Sequence, residues 1–151
     1  MKNLFDSTIA IEIKNRLGKL QPQSERQWGK TTAPQMLAHC SVTIQWALGD
    51  VIPDKAPLFV RMIGRLVKPM VFRNEDPIRK NSPTAKSLII SGERDLGQEK
   101  DRLSALVDRF ASGGPATCTT NPHSFFGKLT PEEWSILMYK HLDHHLRQFG
   151  V

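Results

Sequence analysis

The segment from residue 130 to residue 149 constrains the fold more than any other part of the chain, because it carries both the start signal and the periodicity of a helix. Thr130-Pro131-Glu132-Glu133 is a capping box, with proline at the first helical position and glutamate at the third. Apolar residues then recur at helical spacing and predict an inward-facing stripe. The residues that share its arc of roughly 100° are Trp134, Leu137, Met138, His141, His145 and Gln148.

Two histidines lie in this inward arc. His141 and His145 are about 40° apart on one helical face, so both imidazoles can reach a single point. Neutral imidazole is a common ligand of zinc, nickel and ferrous iron. A third ligand must come from elsewhere, and His39, on the inward face of a helix capped by Thr32, is the best candidate. The alternative is that these are buried histidines hydrogen-bonded to carbonyls or a carboxylate.

The sequence allows several roles for the neighbours of the histidine pair. His144 lies about 60° from His141 on the other side, and it is a ligand, a hydrogen-bond partner of a ligand or a solvated residue. A small rotation of the helix would exchange it with His145. Asp143 is expected to face solvent. The residues predicted to line a substrate pocket or to support the ligands are His123, His144, Trp46 and Gln148.

Four other segments, residues 4–20, 32–48, 58–71 and 98–111, have helical periodicity, and the chain has no internal repeat. The run 87–90 predicts either a short strand or one wall of a pocket. Five helices and little strand predict an all-α fold for one domain spanning residues 1–151. We expect a four-helix bundle with an additional helical segment and long loops, and loops of that length often line a site.

Composition and motifs exclude several classes of function. The net charge of +6 would allow a nucleic-acid partner, but the basic residues are scattered and no binding motif is present, so nucleic acid is the least favoured partner. No apolar run approaches the ~20 residues that span a bilayer, and the first residues do not predict a signal peptide. Cys40 and Cys118 form no CxxC, which suits a reducing cytoplasm. GxSxG, P-loop, GxGxxG and HExxH motifs are absent.

Two motifs of this chain carry a family resemblance. The first is Ala33-Pro34-Gln35-Met36-Leu37-Ala38-His39-Cys40, and the second combines Asn121-Pro122-His123-Ser124-Phe125-Phe126-Gly127 with Tyr139-Lys140-His141-Leu142-Asp143-His144-His145-Leu146-Arg147-Gln148-Phe149-Gly150. Together they resemble the DinB-like superfamily of bacterial four-helix-bundle proteins, many of which have a three-histidine metal site. The resemblance covers essentially the whole chain. It implies a DinB-like bundle with His39, His141 and His145 as the metal ligands. His123 and His144 are typical of a subfamily, and the resemblance implies no role for them.

The resemblance also suggests chemistry. Some relatives are transferases and isomerases that use low-molecular-weight thiols, and others have no known activity. The sequence therefore predicts a cytoplasmic metal-dependent enzyme, with zinc or nickel as the favoured ion and a small molecule as the substrate. The expected reaction is transfer of a small thiol to an electrophile, or hydrolysis by metal-bound hydroxide. The alternative is a non-catalytic, stress-associated binding module without a metal. We expect no membrane partner, and a homodimer is compatible with either reading.

Overall fold

The computed structural model describes residues 1–151 and consists of helices joined by loops. Its only β pairing is an isolated bridge between His123 and Gly127. Short 3₁₀ helices at Lys86–Leu88 and Gly114–Thr117 follow the long loop and the fourth helix. The predicted all-α bundle is confirmed. The five α-helices are α1 (Ser7–Gly18), α2 (Ala33–Leu48), α3 (Leu58–Arg73), α4 (Leu96–Gly113) and α5 (Pro131–Gln148).

Four of the helices form the bundle and α3 lies outside it. α2 packs along α4 and against α5, and α1 packs against both α4 and α5, whereas α3 makes only a small contact with α5. The helix α3 is therefore the additional segment that the sequence predicted. The interior of the bundle is filled by fully buried side chains from all four helices, among them Ile13, Ile44, Leu103, Phe110, Trp134 and Leu142.

The helix starts follow the capping signals of the sequence. The Thr130 side chain accepts a hydrogen bond from the Glu133 amide, and the Glu133 carboxylate accepts one from the Thr130 amide, at 3.2 and 2.8 Å. Thr32 and Gln35 form the same reciprocal pair at the start of α2. These bonds satisfy amides that have no partner within the helix. They fix the residues at which α2 and α5 begin, and these two helices carry the three histidines.

Two local expectations are corrected. Asp143 was expected to face solvent, but it is only 7% exposed. Its carboxylate forms ion pairs with Arg16 Nη1 and Arg147 Nε, both at 2.8 Å. Arg16 reaches Asp143 because α1 packs against this side of α5. The run 87–90 is not a strand, since Lys86–Leu88 forms a 3₁₀ helix. No helix combines the length and the apolarity that crossing a bilayer requires.

Candidate metal centre

Three histidines from two helices converge between α2 and α5. One ring nitrogen each from His39, His141 and His145 lies within 4.8 Å of one from each of the others. The ring centroids form a nearly equilateral triangle, with His39 4.9 Å from His141 and 4.7 Å from His145. The His141 and His145 centroids are 4.6 Å apart. The helical spacing on α5 supplies two corners of this triangle, and the packing of α2 against α5 supplies the third.

The position of the proton on His39 is set by the backbone. Its Nδ1 lies 2.9 Å from the carbonyl oxygen of Leu88, which can only accept a hydrogen bond. Nδ1 therefore carries the proton and Nε2 has a free lone pair. That Nε2 lies 2.9 Å from Nε2 of His141. The 3₁₀ helix that contains Leu88 thus lies against the site, which agrees with the pocket-wall alternative for this run.

His141 is oriented through a hydroxyl. Its Nδ1 lies 3.3 Å from Thr43 Oγ1, and the same Oγ1 lies 2.8 Å from the carbonyl oxygen of Cys40. A hydroxyl has one proton, and the shorter contact places it on the bond to Cys40. Oγ1 then accepts from Nδ1–H of His141, and Nε2 of His141 has a free lone pair.

His145 is oriented by an amide whose own direction is fixed. Gln148 Nε2 donates to the carbonyl oxygen of Trp28 at 2.8 Å, so Gln148 Oε1 is the atom that faces His145 Nδ1, at 2.9 Å. Oε1 can only accept, and Nδ1 therefore carries the proton. All three rings thus have Nδ1 engaged with the protein and Nε2 free. Such partners behind metal-binding histidines fix ring tautomer and orientation.

The three imidazoles are neutral at pH 7. Burial, followed by the proximity of His145 and His39, places the pKa of His141 well below its ordinary value. Burial and the proximity of His39 lower the pKa of His145 to about 3. Burial also lowers the pKa of His39, and outweighs the opposing effect of the Leu88 carbonyl. Neutral rings can bind a metal ion without first losing a proton.

These residues fit a divalent metal ion. Two free lone pairs facing each other at 2.9 Å repel unless a proton or a cation lies between them. Nitrogens that share a zinc ion at about 2.0–2.1 Å lie roughly 3.3 Å apart in tetrahedral geometry. The 2.9 Å contact and the 4.8 Å limit of the cluster bracket that spacing. The three-histidine cluster could therefore hold a metal ion, and because His141 and His145 are partly exposed, the site is reachable from solvent.

His144 lies outside the cluster. Its Nδ1 lies 3.0 Å from the carbonyl oxygen of Ile78, and its ring packs 5.5 Å from Trp28 and 5.1 Å from His145. Lys80 Nζ lies 4.4 Å above the centroid of the Trp28 ring. The cluster therefore contains His145 rather than His144, and His144 joins the loop around residue 78 to one side of the site.

His123 and Trp46 form an aromatic layer near the cluster. His123 Nδ1 accepts hydrogen bonds from the Phe125 and Phe126 amides at 3.1 and 3.2 Å, so the ring holds its own loop together. The His123 ring packs 5.9 Å from Trp46 and 5.5 Å from Trp134. Burial lowers the pKa of His123 to about 4. The contacts of His123 are therefore to the turn in which it lies and to the neighbouring aromatic rings.

Of the groups behind the ligands, the sequence pointed to Gln148 but not to Thr43 or to the two backbone carbonyls. Thr43 stands four residues after His39 on an inward face, and that spacing was the one available signal for its role. The partners of His39 and of Gln148 are the backbone carbonyls of Leu88 and Trp28. Any residue type can supply a carbonyl, so no side-chain motif marks these positions.

The fold and the site together define a class, namely a helical-bundle protein with a three-histidine cluster that could hold a metal ion. The chain belongs to the family described as Protein of unknown function (DUF1569), which matches residues 6–150. Comparison with curated proteins and with solved structures gives no match. The family description assigns no activity, so function is argued from the site.

Proposed function

We propose that this protein is a metal-dependent enzyme whose divalent ion, zinc or nickel, is held by Nε2 of His39, His141 and His145. The observation that carries the proposal is that Nδ1 of each ring lies within hydrogen-bond distance of a protein oxygen, which leaves the Nε2 atoms available to an ion. The resemblance to the DinB-like superfamily supports the same three ligands.

The chemistry follows from the charge of the site. A divalent ion bound there would leave coordination positions open and lower the pKa of a bound water or thiol toward about 7. The three-histidine cluster includes no carboxylate, so its ligands leave the charge of the ion uncompensated and favour an anionic group. Leu88, Thr43 and Gln148 hold the rings in place for this. Lys80 adds a cation at the side of His144.

The reaction we propose is transfer of a small thiol to an electrophile, or hydrolysis of a small-molecule substrate, in the cytoplasm. Both reactions use a nucleophile that is weak at neutral pH in its protonated form and becomes reactive when its pKa falls. The thiol reaction is favoured by the resemblance to thiol-dependent relatives, and the hydrolytic reaction needs only water. Neither of the chain's own thiols fits the nucleophile's role, because burial raises the pKa of Cys40 and raises that of Cys118 to about 11.

A non-catalytic binding module without metal is the second candidate, and one observation favours it. If the Thr43 hydroxyl turned from Cys40 toward His141, then Nε2–H of His141 would donate to Nε2 of His39 across 2.9 Å. Both rings would then be satisfied with no ion present. The two candidates therefore differ in the tautomer of His141 and in metal content.

The test is elemental analysis of protein purified without an affinity tag, for the wild type, for His39→Ala and for His144→Ala as the matched control. We expect near-stoichiometric zinc or nickel in the wild type and in His144→Ala, and its loss in His39→Ala. Metal-loaded protein would then be assayed for thiol transfer and for ester or amide hydrolysis, again against His39→Ala. A wild type that neither contains nor takes up zinc or nickel would refute the proposal and favour the binding module.

A further inference from the structure

One helix presents its apolar side to solvent. Leu66 on α3 is 80% exposed, and Leu58, Phe59 and Met70 are each 70% exposed. Arg65 and Arg73 are the only charged residues exposed on this helix, and α3 contains no acidic residue. The outward face, called here the α3 face, consists of Leu58, Phe59, Met62, Ile63, Leu66 and Met70.

The opposite side of α3 is fixed to the protein by specific contacts, so the outward direction of the α3 face is built in. A Cβ at position 64 would overlap the Phe125 carbonyl, and only glycine allows this approach. Lys68 Nζ lies 2.8 Å from the Lys128 carbonyl oxygen and 2.8 Å from the Glu133 carboxylate. The ring of Phe72 packs 5.5 Å from Phe126. A rotation of α3 that buried its apolar face would break all of these contacts.

The size of the α3 face matches what a stable interface needs. With exposures between 39% and 80%, its six side chains offer roughly 700 Å². A standard interface buries about 800 Å² on each partner, whereas a monomer rarely exposes a contiguous apolar patch above a few hundred Å² without a function for it. The α3 face is thus large enough to account for most of one side of a dimer.

We propose that the α3 face binds the α3 face of a second copy of this chain, with the two helices antiparallel about a two-fold axis. Asp54 before the helix and Arg73 at its end have no ion pair within the chain. An antiparallel arrangement brings Asp54 of one copy toward Arg73 of the other copy. It is isologous, so the same apolar residues cover one another.

A lipid surface fits the α3 face less well than a second copy does. Helices that bind at a membrane interface turn lysine and arginine toward the headgroups from their polar side. On α3 that side is packed on the protein, where Lys68 is already paired with Glu133. Of the arginines on α3, Arg61 is half-buried and Arg65 lies beside Gly127 of the loop under the helix, which leaves Arg73 to face lipid. The outward face is apolar over most of its width.

The experiment is sedimentation equilibrium across a wide range of concentrations for the wild type, for Leu66→Glu and for Ile11→Glu. Ile11 is an apolar residue on α1 that is 58% exposed, and it serves as the control outside the α3 face. We expect the wild type and Ile11→Glu to dimerise with equal affinity, and Leu66→Glu to weaken association by about 30-fold or more with unchanged helical circular dichroism. A wild type that stays monomeric at every concentration would overturn the proposal.

Two further experiments test the occupant of the α3 face and the arrangement of the two helices. In the first, the wild type and Leu66→Glu would be sedimented with phosphatidylglycerol vesicles. Vesicle binding by a monomeric wild type, lost in Leu66→Glu, would replace the second copy with a lipid surface. If the wild type dimerises and Arg73→Asp weakens the dimer, Asp54→Arg in the same chain should restore it. Failure of that restoration would contradict the antiparallel arrangement.

Discussion

The helices α5 and α3 carry similar amphipathic patterns, and the structure uses them in opposite ways. α5 turns its apolar arc into the bundle, where Leu142 is 1% exposed and His141 and His145 meet His39. α3 turns its apolar arc to solvent, where Leu66 is 80% exposed. The pattern of a helix therefore predicts that an apolar face exists, and the neighbouring elements decide what covers it.

The two helices differ in how their neighbours hold them. α5 lies between α1 and α2, and Asp143 on its flank is paired with Arg16 of α1. α3 rests on the loop 121–128 through its less apolar side and is anchored by Lys140, whose ammonium donates to the carbonyls of Val71, Asn74 and Asp76. Polar anchoring of one side leaves the apolar side free for a partner outside the chain.

The largest expected contrast is between matched leucines on the two helices. Leu142→Ala should lower the free energy of unfolding by about 2–5 kcal/mol, because it leaves a cavity in the bundle. Leu66→Ala should change the stability of the protomer by less than about 0.5 kcal/mol, because the side chain is exposed there. Urea unfolding at low protein concentration would measure both. Equal losses would show that α3 is packed as tightly as α5.

A smaller effect is expected behind the ligands. Gln148→Leu removes the acceptor of His145 Nδ1 while leaving all three ligands in place. We expect zinc affinity to fall about 10–100-fold, as for other partners behind ligands. The control is Gln45→Leu, which removes a glutamine whose side chain pairs with Arg102 at the surface. Competition titration with a chelating dye would measure both, and an unchanged affinity in Gln148→Leu would argue against Nε2 of His145 as a ligand atom.

The smallest effect concerns pH. Because burial lowers the pKa of folded His123 to about 4, the unfolded chain binds a proton there as pH falls through about 6.5 while the folded chain does not. The free energy of unfolding should therefore fall as pH decreases from 7 to 5, by about 1–2 kcal/mol for this residue. In His123→Asn the side-chain oxygen can accept the hydrogen bonds that Nδ1 accepts from the Phe125 and Phe126 amides, and asparagine does not titrate. Urea unfolding of metal-free protein at both pH values should show a weaker dependence in this variant, and an equal dependence would contradict the assignment.

The sequence predicted much of the fold because capping signals and periodicity act locally. The reciprocal caps at Thr32 and Thr130 and the positions of α2, α4 and α5 follow from neighbouring residues. The first helix is shorter than its periodicity suggested, because Asp6 is its N-cap and accepts a hydrogen bond from the Thr8 amide. Leu4 and Leu20 lie outside the helix but are still buried. The burial of Asp143 could not be predicted, since its partner Arg16 lies 127 residues away.

The candidate site divides in the same way. The proximity of His141 and His145 is a local consequence of their spacing on one helix, whereas the contact of His39 with His141 spans 102 residues and depends on helix packing. The choice of His145 over His144 depends on the rotation of α5, which the bundle contacts fix. The carbonyls of Leu88 and Trp28 carry no sequence signal at all.

The most direct test of the metal centre is X-ray absorption at the zinc edge of the zinc-loaded protein and of its His145→Ala variant. We predict three imidazole nitrogens at about 2.0–2.1 Å in the wild type, falling to two in the variant. Fewer than three imidazoles in the wild type, or the same number in both proteins, would contradict the three-histidine site.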